Sequence, residues 1–235
     1  MTGISPAELP TALPTALAAG QSRLRSLLPG LTDGILRGPT PLPGWTRGHV
    51  LTHLEGVGLA LARQARYALR GKLIEVYDGG RAARDAAIEA GHRRPVQQLA
   101  PALADALDEV EASWSAVGPD DWDRPVRYRD GTLRDAGLAW WRELEIHTAD
   151  ADLGYGTHEW PAPLCVHLIG FLASRVPAGY EVTFTATDAE FTRTYGSGTP
   201  LPVAGRLTDL AAWLAGRHPE LPLTATELPR LGTWP

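Results

Sequence analysis

The chain reads as an α+β protein, a helical bundle over residues 1–158 followed by a small α+β domain over residues 159–235. Three observations point there. Apolar residues recur at helical spacing in four long segments before residue 152. After Trp160-Pro161 the texture changes to runs rich in Thr, Val, Phe and Tyr, as in strands. A hydrophobic content of 44% over 235 residues suffices for a packed core.

The first helix is expected over 14–28, stopped by Pro29-Gly30, with a Pro- and Gly-rich loop from Gly38 to Gly44. Thr46 suits the N-cap of a second helix, which carries Val50, Leu54, Val57 and Leu61 on one stripe and ends at Gly71. A short helix is expected over 80–91. A longer one over 96–117 aligns Leu99, Leu103, Leu107, Val110 and Trp114. The fourth major helix, 134–151, places Ala136, Trp140, Glu143, His147 and Asp150 along one stripe, so acidic and imidazole groups stand where apolar ones belong. Such a conflict marks a site. Beyond Trp160 we expect a helix near 163–175, a hairpin of Tyr180–Ala186 and Phe191–Tyr195 turning at Asp188, a third strand near 201–204, a helix over 207–217 and a last strand near 221–226.

A net charge of -5 and an isoelectric point near 5.8, with no basic run longer than Arg93-Arg94, offer nucleic acid no footprint. The single cysteine, Cys165, excludes an internal disulfide framework and reads as a buried structural thiol. Residues 1–20 are alanine-rich but lack a basic leader region and are interrupted by Pro10 and Pro14, so no signal peptide is read. With no apolar run of spanning length, the expectation is a cytoplasmic protein with no membrane partner.

The chemistry is concentrated in two short runs, His49-Val-Leu-Thr-His53 and Arg142-Glu-Leu-Glu-Ile-His147. Positions four apart share a helix face, so His49 projects with His53, and Glu143 with His147. Either pair alone is weak. Two pairs on helices whose apolar stripes face one core offer a three-ligand site, which leaves a divalent ion a position open for chemistry. An unpaired Glu143 buried among Trp140 and Leu144 needs a cation or hydrogen-bond donors, and its neighbour Arg142 points about 100° away on the helix, so an ion explains it better.

The stretch Leu42-Pro-Gly-Trp-Thr-Arg-Gly-His-Val-Leu-Thr-His-Leu54, with Trp141-Arg-Glu-Leu-Glu-Ile-His-Thr-Ala-Asp150, resembles the mycothiol-dependent maleylpyruvate isomerase family. The similarity extends through Tyr77, Arg84-Asp85, Leu153-Gly154-Tyr155, Trp160-Pro161 and Ala215-Gly216-Arg217. It implies a DinB-like four-helix bundle in which His53, Glu143 and His147 ligate Zn2+ or another divalent metal, with His49 serving nearby or in packing. It further implies that mycothiol is the cofactor thiol and that a dicarboxylate, maleylpyruvate, becomes fumarylpyruvate by cis-trans isomerisation. Arg84 and Arg217 match arginines that the family places near its active site. Both are expected to bind substrate carboxylates, Arg217 in a catalytic position, with Tyr77 lining the pocket. Trp45 is expected to anchor the start of the second helix, and Asp150 either to orient an imidazole or to cap or face solvent. The run Asp150-Ala-Asp-Leu-Gly154 departs from the family's Asp-Leu-Gly, which bears on the substrate. Two other functions therefore stand beside the isomerase: a mycothiol S-transferase acting on another electrophile, and a binding protein braced by its metal without catalysis. Neither the metal's identity nor the oligomeric state is readable in the sequence.

Overall fold

The computed structural model describes residues 9–235, with side chains from Ala12 onward. The readings for the extreme amino end fall in part on residues 1–8, outside the described residues. The chain divides into two compact units between Gly154 and Tyr155, where the sequence expectation put the boundary after His158.

The first unit is helical: α1 (Leu9–Leu27), α2 (Asp33–Arg37), α3 (Arg47–Ala68), α4 (Gly80–Gly91), α5 (Val96–Ser115) and α6 (Leu133–Asp150). α3 packs against α5 and α6, and α1 against α6 and α5, which makes four long helices around one core. Leu17 and Leu24 of α1, Val50, Leu54 and Leu61 of α3, Leu99 and Leu103 of α5 and Trp140 and Leu144 of α6 are all buried there. α1 begins earlier than expected, because Pro14 is accommodated inside its amino-terminal half. The single-turn α2 escaped the periodicity, being too short to show one. It is capped by Thr32 Oγ1, which accepts from Ile35 N–H at 3.2 Å.

Two capping boxes fix where the site-bearing helices start. At α6, Thr132 and Asp135 exchange side-chain and backbone hydrogen bonds (2.8 and 3.4 Å). At α3, the N–H of Thr46 donates to His49 Nδ1 at 3.0 Å, so a histidine fills the place that glutamate or glutamine usually takes. α1 is tied to α6 by Arg23, whose Nη1 lies 2.9 Å from both oxygens of the buried Glu145.

The second unit holds α7 (Ala162–Phe171), the strands β1 (Gly179–Ala186), β2 (Thr192–Gly196) and β3 (Gly198–Gly205), and α8 (Leu207–Leu214). The sheet order is β2-β1-β3, with β2 antiparallel and β3 parallel to β1. The chain therefore hops across the start of β1 between β2 and β3. Gly196 (φ 81) and Gly198 (φ 132) make the hop, and a Cβ on either would stand within 2.4 Å of a β1 carbonyl oxygen. Val182 and Phe184 of β1, Leu201 and Val203 of β3, Leu168 of α7 and Leu210 of α8 form its core. α7 is shorter than the expected helix, ending at Phe171 before a 3-10 turn, and α8 ends at Leu214 before Gly216 (φ 73).

The expected strand near 221–226 is not one. Only an isolated bridge, Ala204 with Thr224, forms there. The reason lies in β3: Pro200 and Pro202 occupy the positions whose amides would face the same open edge as Ala204, so that edge lacks the donors a ladder needs. The segment is held instead by a side chain, since the buried Asp209 accepts from the N–H of Glu220 at 2.8 Å. No helix among the described residues is long and apolar enough to cross a membrane.

Candidate metal centre

α3 and α6 lie side by side, and their facing stripes bring His53, Glu143 and His147 together, one candidate ligand atom of each within 4.8 Å of the others. Glu143 Oε2 is 2.9 Å from His53 Nε2 and 3.2 Å from His147 Nε2, and the two imidazoles meet edge to face with centroids 4.7 Å apart. Asp150, one turn on and 2% exposed, takes His147 Nδ1 at 2.8 Å. This carboxylate fixes the ring and leaves Nε2 directed at the shared point. Trp45 presses edge-on to His53 (5.6 Å) and stacks on His49 (6.0 Å), so it holds both α3 histidines rather than only the helix start.

The expectation of a Glu143 buried among Trp140 and Leu144 is met in part. Its side chain is 33% exposed, so the group opens on one flank. The short contacts to its carboxylate are the two imidazoles, while Arg142, itself buried, bonds with Tyr128.

The charges of the group interlock. Burial works against ionised Glu143, but hydrogen bonds from His147 and His53 outweigh it and hold the carboxyl well below the usual range. Burial likewise opposes charge on His147, yet hydrogen bonds to Asp150 and Glu143 raise it to about 9. His53 goes the other way: burial lowers it, and the hydrogen bond to Glu143 only partly compensates. The group without an ion is thus one anion, one imidazolium and one neutral ring. The proton on His147 Nε2 occupies the place a cation would take. Two imidazole nitrogens and a carboxylate oxygen converging on one point, one ring braced by a second carboxylate and one flank open, fit a divalent ion with room for a further ligand.

The other sequence-predicted residues divide. Arg84 Nη2 lies 3.2 Å from His53 Nδ1, with Nη1 on Asp85 at 2.7 Å. Tyr77 is half-buried, and its hydroxyl is pushed up by burial while lying within the fields of Arg84 and Glu143. Both therefore belong to the surroundings of the centre. Arg217 follows α8 in the second unit, where its Nη1 donates to Ala215 O at 2.6 Å and its guanidinium lies 5.8 Å from the Trp234 ring centre. Cys165 is buried, its thiol 3.8 Å from Trp160 O. Sequence reasoning missed the pair of Glu55 and Arg94 beside the centre. Glu55 follows His53 closely, but its partner comes from beyond α4, and no local pattern links the two.

A second group of like composition, His49, Glu89 and His92, lies one turn nearer the start of α3. It fits an ion poorly. His49 Nδ1 already accepts the backbone N–H of Thr46, so the ring's proton is on Nε2, the atom nearest Glu89 (3.8 Å). His49 and His92 stack with centroids 3.5 Å apart and 18° between planes, which runs their in-plane lone pairs side by side instead of toward one point.

The first unit is thus a helical bundle presenting two histidines and a glutamate at an open centre. Residues 17–152, more than half of the chain, match the mycothiol maleylpyruvate isomerase N-terminal domain, and the chain belongs to that family. Two solved structures share its fold over the full length of both chains. One is described as the mycothiol-dependent maleylpyruvate isomerase (19% identity, TM-score 0.85), the other as a histidine-to-alanine mutant of that enzyme (20%, 0.84). No curated protein matches the chain significantly in sequence.

Proposed function

We propose that the protein is a zinc- and mycothiol-dependent isomerase converting maleylpyruvate to fumarylpyruvate. The observation that carries the reading is the convergence of His53, Glu143 and His147 beside an open flank, in a chain of this family. These three residues would hold the ion. Bound there, zinc would lower the pKa of a coordinating thiol enough to keep it as thiolate near neutral pH. Mycothiol supplies a sulfur that adds reversibly to the substrate's double bond, leaving a single bond that can turn before the sulfur departs.

The chain's own side chains do the rest. Asp150 holds His147 in the tautomer that offers Nε2. Arg84 now donates to His53 Nδ1, and ligation through Nε2 requires the proton on Nδ1, which releases this guanidinium for a carboxylate. A mobile side chain can leave in this way, whereas the Thr46 amide at His49 cannot. Tyr77 stands beside Arg84 as a donor to the same substrate. Arg217 is assigned a carboxylate-binding and catalytic role on the family resemblance. A low-molecular-weight thiol kept reduced fits a cytoplasmic enzyme.

The test is direct. Zinc-loaded protein given maleylpyruvate should form fumarylpyruvate with mycothiol and none without it. Absence of turnover in both cases would remove the isomerase. Stable thioether formation with a model electrophile, without isomerisation, would make it an S-transferase. The non-catalytic reading calls for an ion enclosed by four protein ligands, and the three-residue group with its exposed flank favours catalysis over it.

A further inference from the structure

The centre does not end at His53. On the far side of that imidazole a cleft of about 460 Å³ runs between α3 and α4, and His53, Tyr77 and Arg84 line it. Its shape follows from two glycines. A Cβ on Gly48 would stand 2.2 Å from His92 O, and one on Gly91 would stand 2.6 Å from the Thr52 methyl, so the start of α3 and the end of α4 touch there. Farther along α3 the wall has gaps: a Cβ on Gly56 would meet nothing within 4 Å. The remaining wall is chiefly carbon, from Gly56, Val57, Leu59, Ala87, Ile88 and Ala90.

The charges in this cleft are unequal. Arg94 is held by both oxygens of Glu55, by Gly91 O (3.1 Å) and by Thr52 Oγ1 (3.4 Å), so it has little left to offer. Arg84 is held by the exposed Asp85, by the Tyr77 hydroxyl and by a hydrogen bond that ligation at His53 releases. One guanidinium can therefore exchange partners. The cleft's other ionic feature is a pair whose carboxylate would repel a second negative charge. A small dianion fills neither the volume nor the charge pattern, whereas a single carboxylate on an apolar body fills both.

We propose that the α3/α4 cleft lets the centre accept a second class of substrate beside maleylpyruvate, an amphipathic monocarboxylate electrophile whose apolar body fills the cleft and whose carboxylate meets Arg84. The inference rests on the reading that the His53 centre acts on a small electrophile. It extends the substrate class from compact dicarboxylates to longer, apolar monocarboxylates.

Zinc-loaded full-length protein is titrated calorimetrically with butyrate, hexanoate, octanoate and maleate, in the absence of thiol. Affinity should rise roughly threefold to fourfold per added methylene from butyrate to octanoate. Gly56→Leu and Ala90→Leu, which fill the cleft from its two walls, should each weaken octanoate binding by roughly tenfold or more while zinc content stays unchanged. Affinity independent of chain length, or full octanoate affinity in both variants, would overturn the proposal. So would loss of S-methyl mycothiol binding in the variants with octanoate unaffected, which would give the cleft to the thiol. Turnover plays no part in these titrations, so failure of the isomerase assay and failure of this proposal are told apart.

Discussion

α3 carries two histidines four residues apart, and each joins a glutamate and another histidine. Both groups have the composition of a metal site, and on our reading His53 with Glu143 and His147 makes one while His49 with Glu89 and His92 does not. The difference lies in the second nitrogen of each ring. At His147 it donates to Asp150 and frees Nε2, and at His53 it accepts from the Arg84 side chain, which can move away, while at His49 it accepts a fixed backbone amide and so keeps a proton on Nε2. A ligand set is defined by what orients its members as much as by residue type. α6 repeats the lesson with carboxylates. Glu143 faces two imidazoles at an open flank, and Glu145, two residues on, is buried against Arg23 and ties α1 to the bundle.

The largest effect on stability should come from the carboxylate that does no chemistry. Arg23→Met would remove the guanidinium that pairs with the buried Glu145, costing about 3 kcal/mol in urea unfolding while zinc content is retained. Equal zinc loss would mean that the two carboxylates are not separable. Next comes the brace: Asp150→Asn should weaken zinc binding about 10–100-fold in chelator competition with the helix content unchanged.

Acidity separates the rings further. His147 is raised from 6.5 to about 9, so the folded chain without metal binds that proton more tightly than the unfolded chain. This stabilisation is complete below pH 6.5 and is lost as pH rises through about 9. His53 is lowered, so its effect runs the opposite way, with stability falling as pH drops below 6.5. The melting temperature of the metal-free protein should therefore peak near pH 6.5 and decline toward pH 9. Zinc, which replaces the His147 proton, should flatten the alkaline decline. The smallest effect belongs to His49→Ala, which removes a cap for about 1 kcal/mol and should leave zinc content intact.

Much of this was legible beforehand, for identifiable reasons. The 3.6-residue period marked α3, α5 and α6, and the polar residues interrupting the α6 stripe pointed to Glu143, His147 and Asp150. Thr46 read as a cap because the capping box is local. What was lost depends on distant partners or on backbone donors. Arg23 meets Glu145 and Arg94 meets Glu55 across helices, without a signal near either in sequence. The segment 221–226 has strand-like composition, and only the prolines of β3, on an edge whose facing requires the register, deny it a ladder.

The central claim is that one of the two histidine groups holds a metal ion and the other does not. Cobalt titration of the metal-free protein, followed by visible absorption, tests it most directly. One equivalent should bind, with a ligand-field spectrum kept in His92→Ala and abolished in His147→Ala. Two equivalents, or a spectrum that survives in His147→Ala and vanishes in His92→Ala, would contradict it.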